Sequence, residues 1–72
     1  MTLKESAREL FARRVKALRA ARGWPQEELA AISGLDRSYV GALERCEKSA
    51  TLDTVEKIAK AFEIRVGELL EK

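Results

Sequence analysis

The 72-residue sequence has no histidine, one cysteine, one proline and four glycines, and only 6% of it is aromatic. Each shortage excludes something. Cys46 has no second cysteine to bridge to, and without histidine no group of metal-ligand side chains forms. Neither a disulfide nor a metal is therefore expected to brace the fold. No nucleophile stands beside an evident general base, and the four glycines make no phosphate-cradling loop. The chain reads as a non-enzyme without a cofactor. No apolar run approaches the ~18 residues of a bilayer span. Glu5, Arg8 and Glu9 stand where a secretory leader would be apolar. The expectation is a protein of the reduced cytoplasm, with no membrane partner and no evident small-molecule effector.

What is present suits a small helical fold. The composition is 46% apolar and 36% charged, which is enough apolar matter for a core and too much for a disordered chain. The length allows one domain, residues 1–72. A core this thin gives marginal stability, so self-association is the expected source of further support. Net charge is only +2, yet ten of the 14 bases lie in residues 1–50. Arg13, Arg14, Lys16, Arg19 and Arg22 follow one another without an acid between them. A polyanion would be drawn to that run, with Arg13 and Arg22 as candidate phosphate contacts. A solvated helix face with bases near a helix C-terminus is the plainer alternative.

Apolar spacing predicts five helices and no strands. The first runs from about Glu5 to Ala21, with Ala7, Leu10, Phe11, Val15 and Leu18 on its buried stripe and Gly23 ending it. The second begins at Trp24-Pro25-Gln26, with proline in its first turn, and stops at Gly34. Asp36 reads as the N-cap of a third helix from Arg37 to about Arg45. Thr51 caps a fourth, with Leu52, Val55, Ile58, Ala59 and Phe62 on one face. A short fifth follows Ile64 and holds Val66, Leu69 and Leu70.

Residues 26–45 meet the demands of two helices packed at a steep angle. Ala30 is small where the helices would cross, and Gly34 suits a turn that wants positive φ. Leu29, Ile32, Leu35, Val40 and Leu43 supply a shared core. A generic helical hairpin needs neither the small residue nor the turn glycine at these positions. A helix-turn-helix does, and such units lay their second helix in the DNA major groove.

The stretch Arg22-Gly23-Trp24-Pro25-Gln26-Glu27-Glu28-Leu29-Ala30, then Gly34-Leu35-Asp36-Arg37-Ser38-Tyr39-Val40, then Leu43-Glu44-Arg45, resembles the phage repressor and Cro-like (Xre-like) helix-turn-helix family. The likeness continues through Leu52-Asp53-Thr54-Val55 and Ile58-Ala59-Lys60-Ala61-Phe62 to Glu68-Leu69-Leu70. Chain length and the Leu-Asp-Arg-Ser-Tyr stretch are most similar to controller proteins of restriction–modification systems. The resemblance implies an all-α, lambda-repressor-like five-helix fold. It also implies a DNA-binding transcription regulator, such as a repressor, working on double-stranded DNA as a homodimer. An antitoxin-type module that grips a protein is the alternative.

Residue roles follow from the same resemblance. Gln26 matches a glutamine that touches a DNA phosphate, where helix amides also favour an anion. Arg37, Ser38 and Ala42 match positions facing base edges; Arg37 suits guanine O6 and N7, Ser38 donates or accepts, and Ala42 offers a methyl to thymine or has no role. Tyr39 either reaches a phosphate or packs beneath its helix, and Lys48 lies near the expected backbone path. Asp36 is a cap or a cytosine contact. Trp24 is core or a stacking platform. Arg19 and Glu44 match an ion pair tying the first helix to the third. The region 52–72 is the expected dimerisation region, with Ile64, Val66 and Leu69 at the interface.

Three departures from the family pattern stand out. Pro25 replaces a hydroxyl cap, and Cys46 and Glu63 stand where glycine is usual. If the backbone at those two positions still takes positive φ, a side chain there costs roughly 1 kcal/mol or more. Cys46 is either a redox-sensitive thiol or a tolerated substitution.

Overall fold

The computed structural model describes residues 5–71, which form five helices and no strand. Residues 1–4 and 72 of the expected domain lie outside the described residues. Helix α1 spans Ala7–Ala21 and starts two residues later than apolar spacing suggests, because Ser6 caps it. The Ser6 hydroxyl accepts from the Glu9 amide at 3.1 Å, and the Glu9 carboxylate accepts from the Ser6 amide at 2.9 Å. Two otherwise orphaned donors are thereby satisfied. At the other end Gly23 turns left-handed, and the Trp24 and Gly23 amides reach the Arg19 and Ala20 carbonyls, both at 3.0 Å.

Helix α2 spans Gln26–Ser33; Pro25 precedes its first helical residue and gives no side-chain cap. Gly34, at φ 76°, stops it and turns the Leu35 amide back onto the Ala30 carbonyl. Helix α3 spans Arg37–Glu44. Asp36 sits at its N-cap position but does not cap with its side chain; the carboxylate accepts from the Ser38 hydroxyl instead. Helix α4, Leu52–Phe62, begins at Thr51, whose hydroxyl accepts from the Thr54 amide. Helix α5, Val66–Leu69, is a single turn.

The core gathers Phe11, Val15, Leu29, Ala30, Val40, Leu43, Val55, Ile58, Ala59, Phe62 and Leu69. Helix α3 packs on both α1 and α2, and α4 closes the far side of α2. Four expectations about this core need correction. Ala7 is exposed, since the buried face of α1 begins only at Phe11 and Ala12. Ile32 is 47% exposed, since α3 and α4 cover the flank of α2 that carries Leu29 and Ala30 instead. Leu52 is 84% exposed: side chains lean toward a helix's N-terminus, so a first-turn residue projects past its own helix. Leu69 is fully buried and serves the protomer's own core, so it is not free for an interface. The exposed apolar residues of the C-terminal segment are Val66 and Leu70, and Ile64 is half-buried against the core.

Cys46 and Glu63 both adopt positive φ, 61° and 60°. Each ends a helix in the geometry usually left to glycine. The Glu47 amide reaches the Ala42 carbonyl at 2.9 Å, and the Ile64 amide reaches the Ala59 carbonyl at 3.0 Å.

Candidate nucleic-acid interface

The Gly34-Leu35-Asp36 turn sets α3 across α2, and a buried polar hub fixes the angle. Glu44 sits at the end of α3 with its side chain 2% exposed. It accepts two bonds from Arg19, at 2.8 and 2.9 Å, and a third from the Gln26 amide at 3.0 Å. Arg19 also donates to the Trp24 carbonyl at 2.8 Å. Three elements therefore meet at one carboxylate. Its hydrogen bonds hold the Arg19 guanidinium protonated more firmly than usual, against the opposing effect of burial.

With two flanks of α3 covered, only a narrow strip remains open. Arg37 and Ser38 occupy it on the first turn, both exposed. Ala42 does not: it is buried, because α1 covers that side of α3, and it cannot offer its methyl to a base. Beyond the first turn the exposed residue is Arg45, which sequence reasoning missed; Gly41 is itself buried beneath it. The Arg45 guanidinium lies over Gly41, where a Cβ would come within 3.0 Å of Nη1, and pairs with Glu47 at 3.0 Å. That pairing raises the Arg45 pKa and lowers that of Glu47, hydrogen bonding being the main cause of both. The signal was available, since Arg37, Gly41 and Arg45 are spaced four apart on one helical face.

The remaining expected contacts divide clearly. Lys48 is exposed in the α3–α4 loop and carries no ion pair among the described residues. Gln26 is half-buried at the start of α2, its amide turned to Glu44. Tyr39 is half-buried with its hydroxyl 3.2 Å from Thr54 Oγ1, which in turn accepts from Thr51. It joins α3 to the cap of α4, so the packing alternative describes it better than a free phosphate contact.

The basic run on α1 proves to be mostly internal clamps. Arg13 is paired with Glu5 through two bonds, at 2.9 and 3.1 Å. Arg14 donates to the Glu68 and Leu69 carbonyls and so caps α5. Arg22 donates to the Phe62 carbonyl at 2.9 Å and to Leu18, and its guanidinium covers the Phe62 and Trp24 rings at 4.8 and 5.7 Å. Those rings stack on one another with centroids 5.5 Å apart, which makes Trp24 part of the packing rather than a platform for bases. Arg22 thus has its guanidinium engaged within the fold, whereas Arg13, paired with Glu5, stays half exposed. Spacing along the chain could not reveal this, because most of the partners are distant in sequence.

A short helix stopped by a glycine turn, with a second helix whose first turn is bare, defines the class. The chain belongs to the helix-turn-helix family, whose model matches residues 15–69. It is 42% identical over 65 residues to control protein C.SmaI of Serratia marcescens, covering 90% of this chain and 77% of that protein. The restriction-modification controller protein C.AhdI from Aeromonas hydrophila superposes with a TM-score of 0.82 at 45% identity, over 86% of this chain and 94% of that one. The controller protein C.Esp1396I, solved as a tetramer with its natural 35 base-pair operator, superposes with a TM-score of 0.83 at 30% identity, over 93% and 92%. Among the described residues no helix is long and apolar enough to cross a membrane.

Proposed function

We propose that the protein is a sequence-specific transcriptional regulator, like the controller proteins it resembles, and that it binds operator DNA as a dimer. The carrying observation is the exposed first turn of α3, where Arg37 and Ser38 project from a helix braced on its other flanks. Such an end enters a major groove, and an arginine there meets guanine O6 and N7. Ser38 donates or accepts, while Gln26, Arg45 and Lys48 line the path of the phosphates. A relative solved on its operator supports the reading. The regulator acts by occupancy rather than catalysis, in the cytoplasm where its operator lies.

The dimer reading rests on the apolar surface left at the C-terminal end, from Ile64, Val66 and Leu70. A two-fold contact there would place two α3 helices about 34 Å apart, one DNA turn, on a pseudo-palindrome. Binding selection on random duplexes tests the whole proposal. It should enrich a short two-fold-symmetric motif; a selected pool with no shared motif overturns it.

A further inference from the structure

The Arg37 guanidinium is not free in solution. Its Nε lies 3.2 Å from Glu27 Oε2, across the turn that joins α2 to α3. Both side chains are more than half exposed, so the pair adds little to folding stability. Its geometry is more telling than its strength. The contact falls on Nε, and among the described residues the terminal nitrogens Nη1 and Nη2 spend no hydrogen bond. Those two nitrogens form an edge able to bond guanine O6 and N7 together. We propose that Glu27 is the positioning residue of the recognition helix, holding Arg37 by its Nε so that the guanidinium meets guanine end-on and does not turn aside to a phosphate. The proposal rests on the reading of Arg37 as the base-reading residue.

Two consequences separate this role from a surface ion pair. A long arginine loses rotamer freedom when it docks, and a partner that already orients it reduces that loss. On unrelated DNA an arginine swings to the nearest phosphate, which here would strand the Glu27 carboxylate beside a polyanion. Glu27 therefore penalises the wrong complex as well as assisting the right one. The same carboxylate also adds, after the bonds and charge of Glu44, a small contribution to keeping Arg19 protonated. The ordinary benefit of an acid in a helix's first turn is shared by Glu28, for which the structure records no arginine partner.

The test uses the intact protein with a duplex taken from the selection and an unrelated duplex, both at one salt concentration. Glu27→Gln should lower the ratio of the two affinities about tenfold, largely by tightening the unrelated complex, with thermal unfolding unchanged. In an Arg37→Ala background the same substitution should leave the ratio within about twofold, since nothing remains to be positioned. A ratio unmoved by Glu27→Gln in a protein where Arg37→Ala does lower it overturns this proposal alone. A ratio that falls equally in both backgrounds also overturns it, and makes Glu27 a direct contact to a cytosine amine. If Arg37→Ala weakens both duplexes alike, the base-reading role of Arg37 fails, and the role of Glu27 fails with it.

Discussion

At the scale of single residues, the interface separates two kinds of arginine. Arg37 is exposed and held only by an exposed carboxylate, so its hydrogen-bonding capacity remains available to DNA. Arg37→Ala should cost about 1–3 kcal/mol on the selected operator and little on unrelated DNA, measured by titration of both duplexes. Arg19 is the opposite case. Its side chain is 19% exposed and its charge is answered by Glu44 from inside the fold. Removing one member of such a pair leaves the other uncompensated. Glu44→Gln should therefore destabilise the protein by about 2–3 kcal/mol in denaturant unfolding, below the fully buried range because Arg19 keeps some solvent. Loss of Gln26 and α3 alignment should accompany it.

At the scale of elements, the helix ends carry the consequences. Cys46 and Glu63 close α3 and α4 in a left-handed conformation that side chains enter at a cost. Glycine removes that cost but loses more freedom on folding, so the two effects partly offset. Cys46→Gly and Glu63→Gly should each stabilise by about 0.5–1 kcal/mol, a rise of a few degrees in thermal unfolding of a domain this size. Gly41, in the middle of α3, raises the reverse question. Alanine there favours the helix by roughly 0.8–1 kcal/mol, while the new methyl displaces the far end of Arg45, which is flexible. Gly41→Ala should make the protein more stable and bind DNA less tightly. A stability gain with unchanged DNA affinity would remove Arg45 from the interface.

At the scale of the whole molecule, a thin core leaves apolar surface uncovered. Val66 and Leu70, 37% and 38% exposed, and the half-buried Ile64 all belong to the C-terminal segment. If a second copy covers them, Val66→Glu or Leu70→Glu should give a folded monomer with weakened operator binding. Leu69→Glu should instead unfold the protomer, because Leu69 has no exposed surface. Sedimentation of the unsubstituted protein at tens of micromolar should show a dimer; a monomer there would sink the two-fold model.

Much of this was determined along the chain. Helical spacing, Gly23, Gly34 and Thr51 set four of the helix boundaries to within a residue or so, because caps and stops act through neighbours in sequence. The pairing of residues 26–45 was legible for the same reason, since Ala30 and Gly34 answer local demands. What side chains do across the molecule was not. The run Arg13 to Arg22 reads as a basic face, yet three of its arginines reach carbonyls or carboxylates 25 to 55 residues away. Ala42 and Leu69 looked available and are buried, while Ile32 and Leu52 looked buried and are not. Periodicity marks the apolar side of a helix, but only the neighbours that pack against it decide which of those residues lose their water, and those neighbours come from elsewhere in the chain.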